Sequence, residues 1–321
     1  METLSVLITD PIDKEGVNIL REAGFSVDYK PGIPSDQLKS IVSKYDALVV
    51  RSQTKVTKEI LDVAPNLKII GRAGAGLDNI DANEAKKRGI KILNTPEAPA
   101  ASVAELTIGL MISLMRRIPY ADKSMKAGSW VKKECTGTEL CGKTLGIIGL
   151  GRIGIKIAKI AKSMGMKILF HDIRLNTAHS KVGAKKVSLK RLLQASDIIT
   201  IHIPLSSETQ NFIGEKEIQL IKNGAYLINT SRGAIVNEAA LRKALETGKL
   251  AGAALDVFEP EPPLDYSLAK MPQVVCTPHI GAQTSEVQKI AAVSIARKIV
   301  KAARKRRKGL SVSVNATSYQ N

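Results

Sequence analysis

One short segment, Gly149-Leu150-Gly151-Arg152-Ile153-Gly154, constrains the fold of this chain more than any other. It directly follows the apolar run 145–148 and opens a helix-like stretch over 153–165. In dinucleotide-binding folds such a G-x-G-x-x-G turn joins a strand to a helix. Its first glycine permits the tight turn, its second lets the backbone approach a pyrophosphate, and its third allows close helix–strand packing. The helix N-terminus adds unpaired N–H groups and a positive dipole end for the phosphates. The segment therefore predicts a parallel α/β sheet with a dinucleotide site.

The next strand-like run, 167–172, ends in Asp172, which lies 18 residues after Gly154. A carboxylate at that point can accept hydrogen bonds from both hydroxyls of a ribose and repels a 2′-phosphate. The sequence therefore favours NAD over NADP as the cofactor. Arg174, two residues further on, keeps NADP as an alternative, and Asp172 could also do no more than cap its own loop.

Strand-like and helix-like runs alternate along the whole chain, which indicates parallel sheets with helices on both faces. We expect an α/β fold of two domains, each with a doubly wound sheet of five or six strands. The first series of strands includes 5–9, 47–50, 68–70 and 91–93, with helices over 13–23 and 81–88. The second series comprises 145–150, 167–172, 197–204, 225–231, 252–258 and 273–279.

Two further helices determine the expected domain plan. Residues 102–119 are apolar on nearly all sides, which indicates either an ordinary core helix or one shared between domains or subunits. Residues 284–307 predict one long helix that could return to the first domain. We therefore expect a first domain over 1–97, a dinucleotide-binding domain over 98–283, and a C-terminal helix and tail over 284–321.

Polar groups that could carry chemistry follow three strands of the second series. Arg232 and Glu261 come just after strand-like runs, and His279 lies at the end of the run 273–279. Ligands bind at the carboxyl ends of strands in open α/β sheets. A histidine can transfer a proton near neutral pH, a neighbouring carboxylate fixes its tautomer, and a guanidinium can hold a substrate carboxylate. Asp256 and Glu259 compete with Glu261 for the place beside the histidine, and each placement could also be structural.

The remaining histidines carry less functional signal. His171 and His179 lie beside the predicted ribose loop, where we expect them to face solvent. His202 lies in a strand, where a role in the core or in lining a loop is favoured over chemistry.

The net charge of +18 raises the question of a nucleic-acid partner. Half of this excess comes from residues 289–321, which carry nine basic and no acidic side chains. No aromatic side chains alternate with the basic run, and no binding motif flanks it. We therefore favour a solubilising helix end over a nucleic-acid contact.

Other classes of protein are disfavoured by simple counts. No run of about 18 uncharged apolar residues exists, so a membrane span is not expected, and the N-terminus does not resemble a secretory signal. Cys135, Cys141 and Cys276 show no metal-like spacing. We therefore expect a cytoplasmic protein with no disulfide framework, no metal and no membrane partner.

Five segments together resemble the D-isomer-specific 2-hydroxyacid dehydrogenases, and the resemblance covers essentially the whole chain. In the family's order and spacing they are GLGRIG (149–154), HIPL (202–205), NTSRG (229–233), LDVFEPEP (255–262) and TPHIGA (277–282). The resemblance implies a Rossmann coenzyme domain inserted into a flavodoxin-like substrate domain. Many relatives continue into a regulatory ACT domain, and we expect neither that domain nor regulation through it here.

The same resemblance implies roles for individual residues. Arg232 binds the substrate and polarises its oxygen, Glu261 tunes the histidine, and His279 is the acid/base. The cofactor is held by Gly149, Gly151, Arg152, Ile153, Gly154, Asp172, Ile203, Thr230, Ser231, Asp256, Gly281 and Ala282. The substrate carboxylate meets the loop Arg72-Ala73-Gly74, and Arg51 and Arg72 are the candidates for a phosphate end.

The implied activity is NAD-dependent hydride transfer with a small anionic, phosphorylated 2-hydroxy or 2-keto acid, in a homodimer. One alternative is another dehydrogenase or reductase of the family that acts on an unphosphorylated acid and so needs fewer cations. A second alternative is an NAD-sensing, corepressor-like binding protein. The complete set of Arg232, Glu261 and His279 argues against a loss of catalysis.

Overall fold

The computed structural model describes residues 4–173 and 182–316, and the chain divides into two compact units. The first unit comprises residues 1–99 and 284–321, and the second comprises residues 100–283. Each unit contains one sheet in which all described strand pairs are parallel. The predicted α/β fold with two parallel sheets is confirmed.

The first unit has a five-stranded sheet in the order β2-β1-β3-β4-β5, the flavodoxin-like order. Its core contains the fully buried side chains of Leu7, Leu48 and Ile70. The strands are β1 (Ser5–Ile8), β2 (Ser26–Tyr29), β3 (Ala47–Val50), β4 (Ile69–Arg72) and β5 (Lys91–Asn94), and the helices are α1 (Lys14–Glu22), α2 (Ser35–Ile41), α3 (Lys58–Asp62) and α4 (Ala82–Lys87), with a 3-10 turn at Val42–Lys44.

The long C-terminal helix, α11 (Ser285–Ala316), belongs to this first unit and packs on α1, β4 and β5. The contact with α1 requires a glycine, because a Cβ at Gly16 would lie 2.7 Å from the carbonyl oxygen of Ala292. Lys298 Nζ forms an ion pair with Glu97 Oε1 at 2.8 Å. The helix extends beyond the predicted end at residue 307.

The second unit has a seven-stranded sheet in the order β12-β11-β10-β9-β6-β7-β8, the Rossmann order with one added strand at an edge. Its strands are β6 (Thr144–Ile148), β7 (Lys167–His171), β8 (Lys185–Lys186), β9 (Ile198–Ile201), β10 (Ala225–Asn229), β11 (Leu250–Leu255) and β12 (Val274–Cys276). Its helices are α5 (Ala100–Met115), α6 (Ile118–Lys126), α7 (Arg152–Ser163), α8 (Leu189–Ala195), α9 (Glu215–Leu220) and α10 (Glu238–Glu246), with a 3-10 turn at Gly233–Ile235.

The prediction of five or six strands for the second sheet was wrong by one strand. The strand that the prediction missed is β8, a pair of exposed lysines that joins the edge of β7. Two exposed residues show neither alternation nor an apolar run, so the sequence pattern contains no signal for this strand.

The prediction of one helix over 102–119 was also wrong. The chain forms α5 and α6, and Arg117 between them has a left-handed backbone with φ of 53°. Pro119 occupies the first turn of α6, where its missing N–H costs nothing, whereas inside a continuous helix its ring would clash with the preceding turn. The carbonyl freed at Met115 accepts a hydrogen bond from Thr138 N at 2.9 Å.

None of the described helices combines the length and apolarity needed to cross a membrane. Among the described residues, no cluster of His, Cys, Asp or Glu side chains has the arrangement of a metal site.

Candidate active site

The three glycines of the turn after β6 have three different environments. Gly149 has φ of 90°, and a Cβ there would lie 2.6 Å from the carbonyl oxygen of His202. A Cβ at Gly154 would collide with the carbonyl oxygen of Gly149, so this glycine allows α7 to pack on its own turn. Gly151 has no described heavy atom within 4 Å of a Cβ position, so a ligand can approach its backbone. These environments fit a pyrophosphate at the turn.

The first turn of α7 is suited to an anion. Its N-cap residue, Gly151, has no side chain and makes no side-chain capping bond, so the first amides of the helix remain available for phosphate oxygens. Arg152 is exposed and Ile153 is half-buried at this helix end.

Asp172 is half-buried at the end of β7 and contacts the glycine turn. Its Oδ2 accepts a hydrogen bond from Leu150 N at 2.8 Å. The carboxylate therefore stabilises its own loop, which was the alternative to a role in binding. It also lies beside the glycine turn, where a residue that binds the ribose must be. Arg174 and His179 lie outside the described residues.

His202, just after β9, lies against the turn through its backbone, since its carbonyl oxygen would be 2.6 Å from a Cβ at Gly149. Its side chain is neutral and contacts its own strand. Its Nε2 lies 2.8 Å from Thr200 Oγ1, and burial lowers the pKa of the imidazole to about 3. Ile203 lies against the same turn, because its Cγ2 would be 2.8 Å from a Cβ at Gly149. A role for His202 in lining the loop fits this geometry.

The segment after β10 is folded by an asparagine that sequence reasoning missed. Asn229 Oδ1 accepts hydrogen bonds from Ser231 N at 3.1 Å and Ser231 Oγ at 2.8 Å, and Asn229 Nδ2 donates to Arg232 O at 2.8 Å. An Asn at a strand end favours such a turn, which was the available signal. Thr230 is buried, and Arg232 Nη1 donates to Ser231 O at 2.6 Å.

The structure brings Arg232, Glu261 and His279 together at the carboxyl ends of neighbouring strands. His279 Nδ1 lies 2.6 Å from Glu261 Oε2, and Phe258 N donates to Glu261 Oε1 at 3.1 Å. Burial alone raises the pKa of the Glu261 carboxyl. The hydrogen bond and charge of His279, the hydrogen bond from Phe258 N and the charge of Arg232 together outweigh burial and hold this pKa below its usual value.

Asp256 holds the loop that presents His279. Its Oδ1 accepts from Thr277 Oγ1 at 2.6 Å and Ile280 N at 2.8 Å, while Oδ2 accepts from Gly281 N at 2.9 Å. Its carbonyl accepts from His279 N at 2.8 Å. This fully buried carboxylate was a candidate for the histidine's partner, and the geometry instead gives it the role of shaping the loop.

The other competitor, Glu259, is exposed, and its N–H donates to Glu238 Oε1 at 3.0 Å. Gly281 is buried and Ala282 is half-buried in the loop after His279. Glu261 is therefore the carboxylate that contacts the imidazole.

The predicted substrate-binding residues lie in two loops of the first unit. Arg51 follows β3, where the buried Asp10 carboxylate accepts from Arg51 N at 2.6 Å and from Thr54 Oγ1 at 2.6 Å. Asp10 was also missed, because its partners lie more than 40 residues away along the chain.

Arg72, Ala73 and Gly74 form the second loop, after β4. Ala73 N donates to Val50 O at 2.9 Å. The Arg72 guanidinium lies over Gly74, where any Cβ would collide with it, and Gly74 has φ of 150°. Position 74 therefore favours glycine, which adopts this backbone conformation without strain.

The sequence of the chain is similar to those of known dehydrogenases and reductases. Residues 108–281 match a family model described as D-isomer specific 2-hydroxyacid dehydrogenase, NAD binding domain. The chain is 45% identical over 321 residues to D-3-phosphoglycerate dehydrogenase of Archaeoglobus fulgidus. This alignment covers 99% of this chain and 60% of that protein. It is 44% identical over 304 residues to hydroxypyruvate reductase of Thermotoga maritima, and this alignment covers 94% of this chain and 99% of that protein.

The fold also matches solved structures. A glyoxylate reductase from Paecilomyes thermophila superposes with a TM-score of 0.87 at 31% identity, over 93% of this chain and 95% of that one. The chain spans about 60% of the length of the curated D-3-phosphoglycerate dehydrogenases from Archaeoglobus fulgidus and Methanocaldococcus jannaschii.

Proposed function

Because the chain belongs to the D-isomer-specific 2-hydroxyacid dehydrogenase family, we propose that it oxidises 3-phosphoglycerate to 3-phosphohydroxypyruvate with NAD, the first step of serine synthesis. The second unit contains the NAD-binding domain of this family. The observation that carries the proposal is the contact between His279 and Glu261, with Arg232 close enough to lower the pKa of that carboxyl. The identity of 45% to a D-3-phosphoglycerate dehydrogenase supports the choice of substrate.

His279 is the proposed acid/base. Its Nδ1 is engaged by Glu261, which orients the ring and leaves Nε2 as the nitrogen that takes the proton of the substrate 2-hydroxyl. NAD, when bound, supplies the acceptor for the hydride that leaves C2. The oxidation therefore releases one proton to His279 as the C2–H bond breaks and the carbonyl forms. In the reverse direction His279 returns the proton.

Glu261 and Arg232 supply the electrostatic part of the mechanism. The Glu261 carboxylate stabilises the imidazolium that forms when His279 accepts the proton. Arg232 stabilises negative charge on the substrate oxygen and can hold the carboxylate through two hydrogen bonds.

The geometry of the glycine turn fits NAD. Gly151 leaves space for the pyrophosphate, while Gly149 and Gly154 let the turn and α7 pack closely. Arg152 and Ile153 lie at the helix end, and Asp172 is placed for the adenosine ribose. The proposed nicotinamide side consists of Ile203, Thr230, Ser231, Asp256, Gly281 and Ala282. The Asp172 carboxylate beside the turn favours NAD over NADP.

The substrate-binding part of the proposal concerns the first unit. The backbone of Arg72-Ala73-Gly74 receives the substrate carboxylate, and Arg51 and Arg72 bind the phosphate. The Arg72 guanidinium lies over Gly74, which supports placing its charge beside the backbone proposed to receive the carboxylate. Replacing either arginine by Gln should raise the KM for phosphohydroxypyruvate more than the KM for hydroxypyruvate.

A second candidate is reduction of an unphosphorylated 2-keto acid such as hydroxypyruvate. It is favoured by one observation: the hydroxypyruvate reductase of Thermotoga maritima is 44% identical and is covered over 99% of its length. NADH-linked rates on phosphohydroxypyruvate, hydroxypyruvate and glyoxylate separate the two candidates. The proposal predicts the highest kcat/KM for phosphohydroxypyruvate, and a higher value for hydroxypyruvate would replace it with the second candidate.

We also propose that the protein is a cytoplasmic homodimer. Support for the dimer comes from exposed apolar side chains on and after α6. Ile118, Tyr120 and Met125 lie on this helix, and Trp130, which follows it, is 78% exposed. Protein interfaces typically contain exposed apolar side chains that adjoin one another, and these four are the candidates for such a surface. Support for the cytoplasm comes from three cysteines that all carry free thiols. Analytical ultracentrifugation of wild type and Trp130→Ser tests the dimer, which the substitution should weaken.

A further inference from the structure

Helix α5 has two buried polar side chains, and both form hydrogen bonds to loops of the proposed NAD site. Ser102 Oγ donates to the carbonyl oxygen of Gly281 at 2.7 Å. Thr107 Oγ1 lies 2.9 Å from Thr230 Oγ1. Ser102 is 8% exposed and Thr107 is fully buried. The two side chains lie five residues apart, about 7.5 Å along the helix axis, so α5 contacts the two loops at separate points.

The direction of the Thr107–Thr230 hydrogen bond follows from a third atom. Thr107 Oγ1 also lies 2.7 Å from the carbonyl oxygen of Val103, which can only accept. A hydroxyl has one proton, so Thr107 donates that proton to Val103 O. Thr230 must therefore be the donor to Thr107. Toward any other group, the Thr230 hydroxyl can then only accept.

The Gly281 peptide is held from both sides. Its N–H donates to Asp256 Oδ2 at 2.9 Å, and its carbonyl accepts from Ser102 Oγ at 2.7 Å. The space around it is also filled, because a Cβ at Gly281 would lie 3.2 Å from Val103 Cγ2. Gly281 is two residues from His279, so Ser102 contributes to fixing the loop that carries the proposed acid/base.

We propose that Ser102 and Thr107 are positioning residues of the NAD site. Through them α5 fixes the loop of Thr230 and the loop of Gly281, and Thr107 makes Thr230 a hydrogen-bond acceptor toward a donor group of the nicotinamide half of the cofactor. The inference rests on the proposed function, because the two loops are the proposed nicotinamide side. Neither residue has a part in proton or hydride transfer.

NADH binding, measured by fluorescence titration without substrate, tests the inference. Thr107→Val keeps the shape of the side chain and removes the hydroxyl, so it should weaken NADH binding about fivefold to tenfold, the effect of one lost hydrogen bond. Thr107→Ser restores the hydroxyl and should bind NADH like wild type. Ser196→Ala is the matched control, since Ser196 is fully buried and donates to Leu192 O at 2.7 Å with the same spacing as Thr107 to Val103.

A double-mutant comparison separates positioning from a general loss of packing. Thr230→Val should weaken NADH binding, and adding Thr107→Val to it should cause no further loss, because Thr107 acts through Thr230. If Thr107→Val does not fold, Ser102→Ala and Ser102→Thr give the same comparison at Gly281, with weakened binding for the first and retained binding for the second.

Any of three results would overturn the inference. In the first, Thr107→Val and Ser102→Ala both bind NADH as tightly as wild type, and in the second Thr107→Ser fails to restore binding. In the third, the losses in affinity of Thr107→Val and Thr230→Val multiply in the double variant. Failure of the proposed function has a different signature. In that case the wild-type protein itself does not bind NADH.

Discussion

His279 Nδ1 and Glu261 Oε2 lie 2.6 Å apart, although 18 residues separate them along the chain. The side chains are 46% and 36% exposed, so the pair is accessible to a substrate. Two features of the loops fix this contact: the left-handed backbone of His279, with φ of 52°, and the hydrogen bond from Phe258 N to Glu261 Oε1. The contact engages one ring nitrogen and gives the other nitrogen a defined direction.

Replacing Glu261 by Gln should lower kcat about 100-fold while leaving the KM for NADH nearly unchanged. The amide keeps the size of the side chain but removes the charge that stabilises the imidazolium during proton transfer. Steady-state assays with phosphohydroxypyruvate measure the effect. Glu259→Gln is the matched control, since Glu259 is exposed and its side chain does not contact His279, and an equal loss in both variants would contradict the role of Glu261.

Alanine substitutions at Gly151 and Gly154 should have opposite signatures. Gly151→Ala should fold with an unchanged Tm and bind NADH at least tenfold more weakly, because its Cβ meets only the space left for the pyrophosphate. Gly154→Ala should lower the Tm by several degrees, because its Cβ collides with the carbonyl oxygen of Gly149. Thermal denaturation and NADH titration check both. A Gly151→Ala variant with wild-type NADH affinity would argue against a pyrophosphate at this turn.

Replacing Asp172 by Asn should reduce the preference for NAD over NADP about tenfold. The Asn oxygen can still accept the hydrogen bond from Leu150 N, so the loop remains folded, while the charge that repels a 2′-phosphate is lost. The ratio of kcat/KM for the two cofactors measures this change. If this ratio is unchanged in Asp172→Asn and the Tm is lower in Asp172→Ala, Asp172 stabilises the loop and does not select the cofactor.

The pH dependence of stability should depend on His202. Its pKa is about 3 in the folded protein, against about 6.5 in the unfolded chain, so the unfolded chain binds a proton first as the pH falls. The contribution of His202 to stability is therefore fully present above pH 6.5 and is lost between pH 6.5 and pH 3, with a loss of about 2 kcal/mol at pH 5. Urea denaturation of wild type and His202→Gln at pH 7.5 and pH 5 tests this. The variant should lose less stability on acidification, and an equal loss in both proteins would exclude His202 as the cause.

The sequence was most informative where a residue type and its place at a strand end coincide. The glycine turn has a spacing that few folds share, and Arg232, Glu261 and His279 each follow a strand of the same sheet, so their proximity could be predicted. The residue pattern alone did not choose Glu261 over Asp256, because both carboxylates follow the same strand, and only the family resemblance indicated Glu261. The structure distinguishes them by partners, since Asp256 binds three donors of the loop 277–281.

Side chains that bind main-chain groups of loops were not predicted. Asp10 binds main-chain amides of a distant loop, and an amide carries no signature in the sequence. Asn229 had a signal in its place at a strand end, but its turn was not predicted. The break between α5 and α6 had a signal in Pro119, but the apolar residues on both sides of it continued the helical pattern. The short strand β8 is defined by its pairing with the edge of β7, which its own two lysines do not indicate.

Transfer of deuterium from the substrate tests the central claim most directly. Wild-type protein incubated with 3-phosphoglycerate deuterated at C2 and with NAD should produce NADH that carries the deuterium at C4 of the nicotinamide, detected by NMR. His279→Ala should bind NADH normally and form this product at a rate lower by a factor on the order of 10²–10⁴. No deuterated NADH from the wild-type protein, or near-normal formation of it by His279→Ala, would contradict the account.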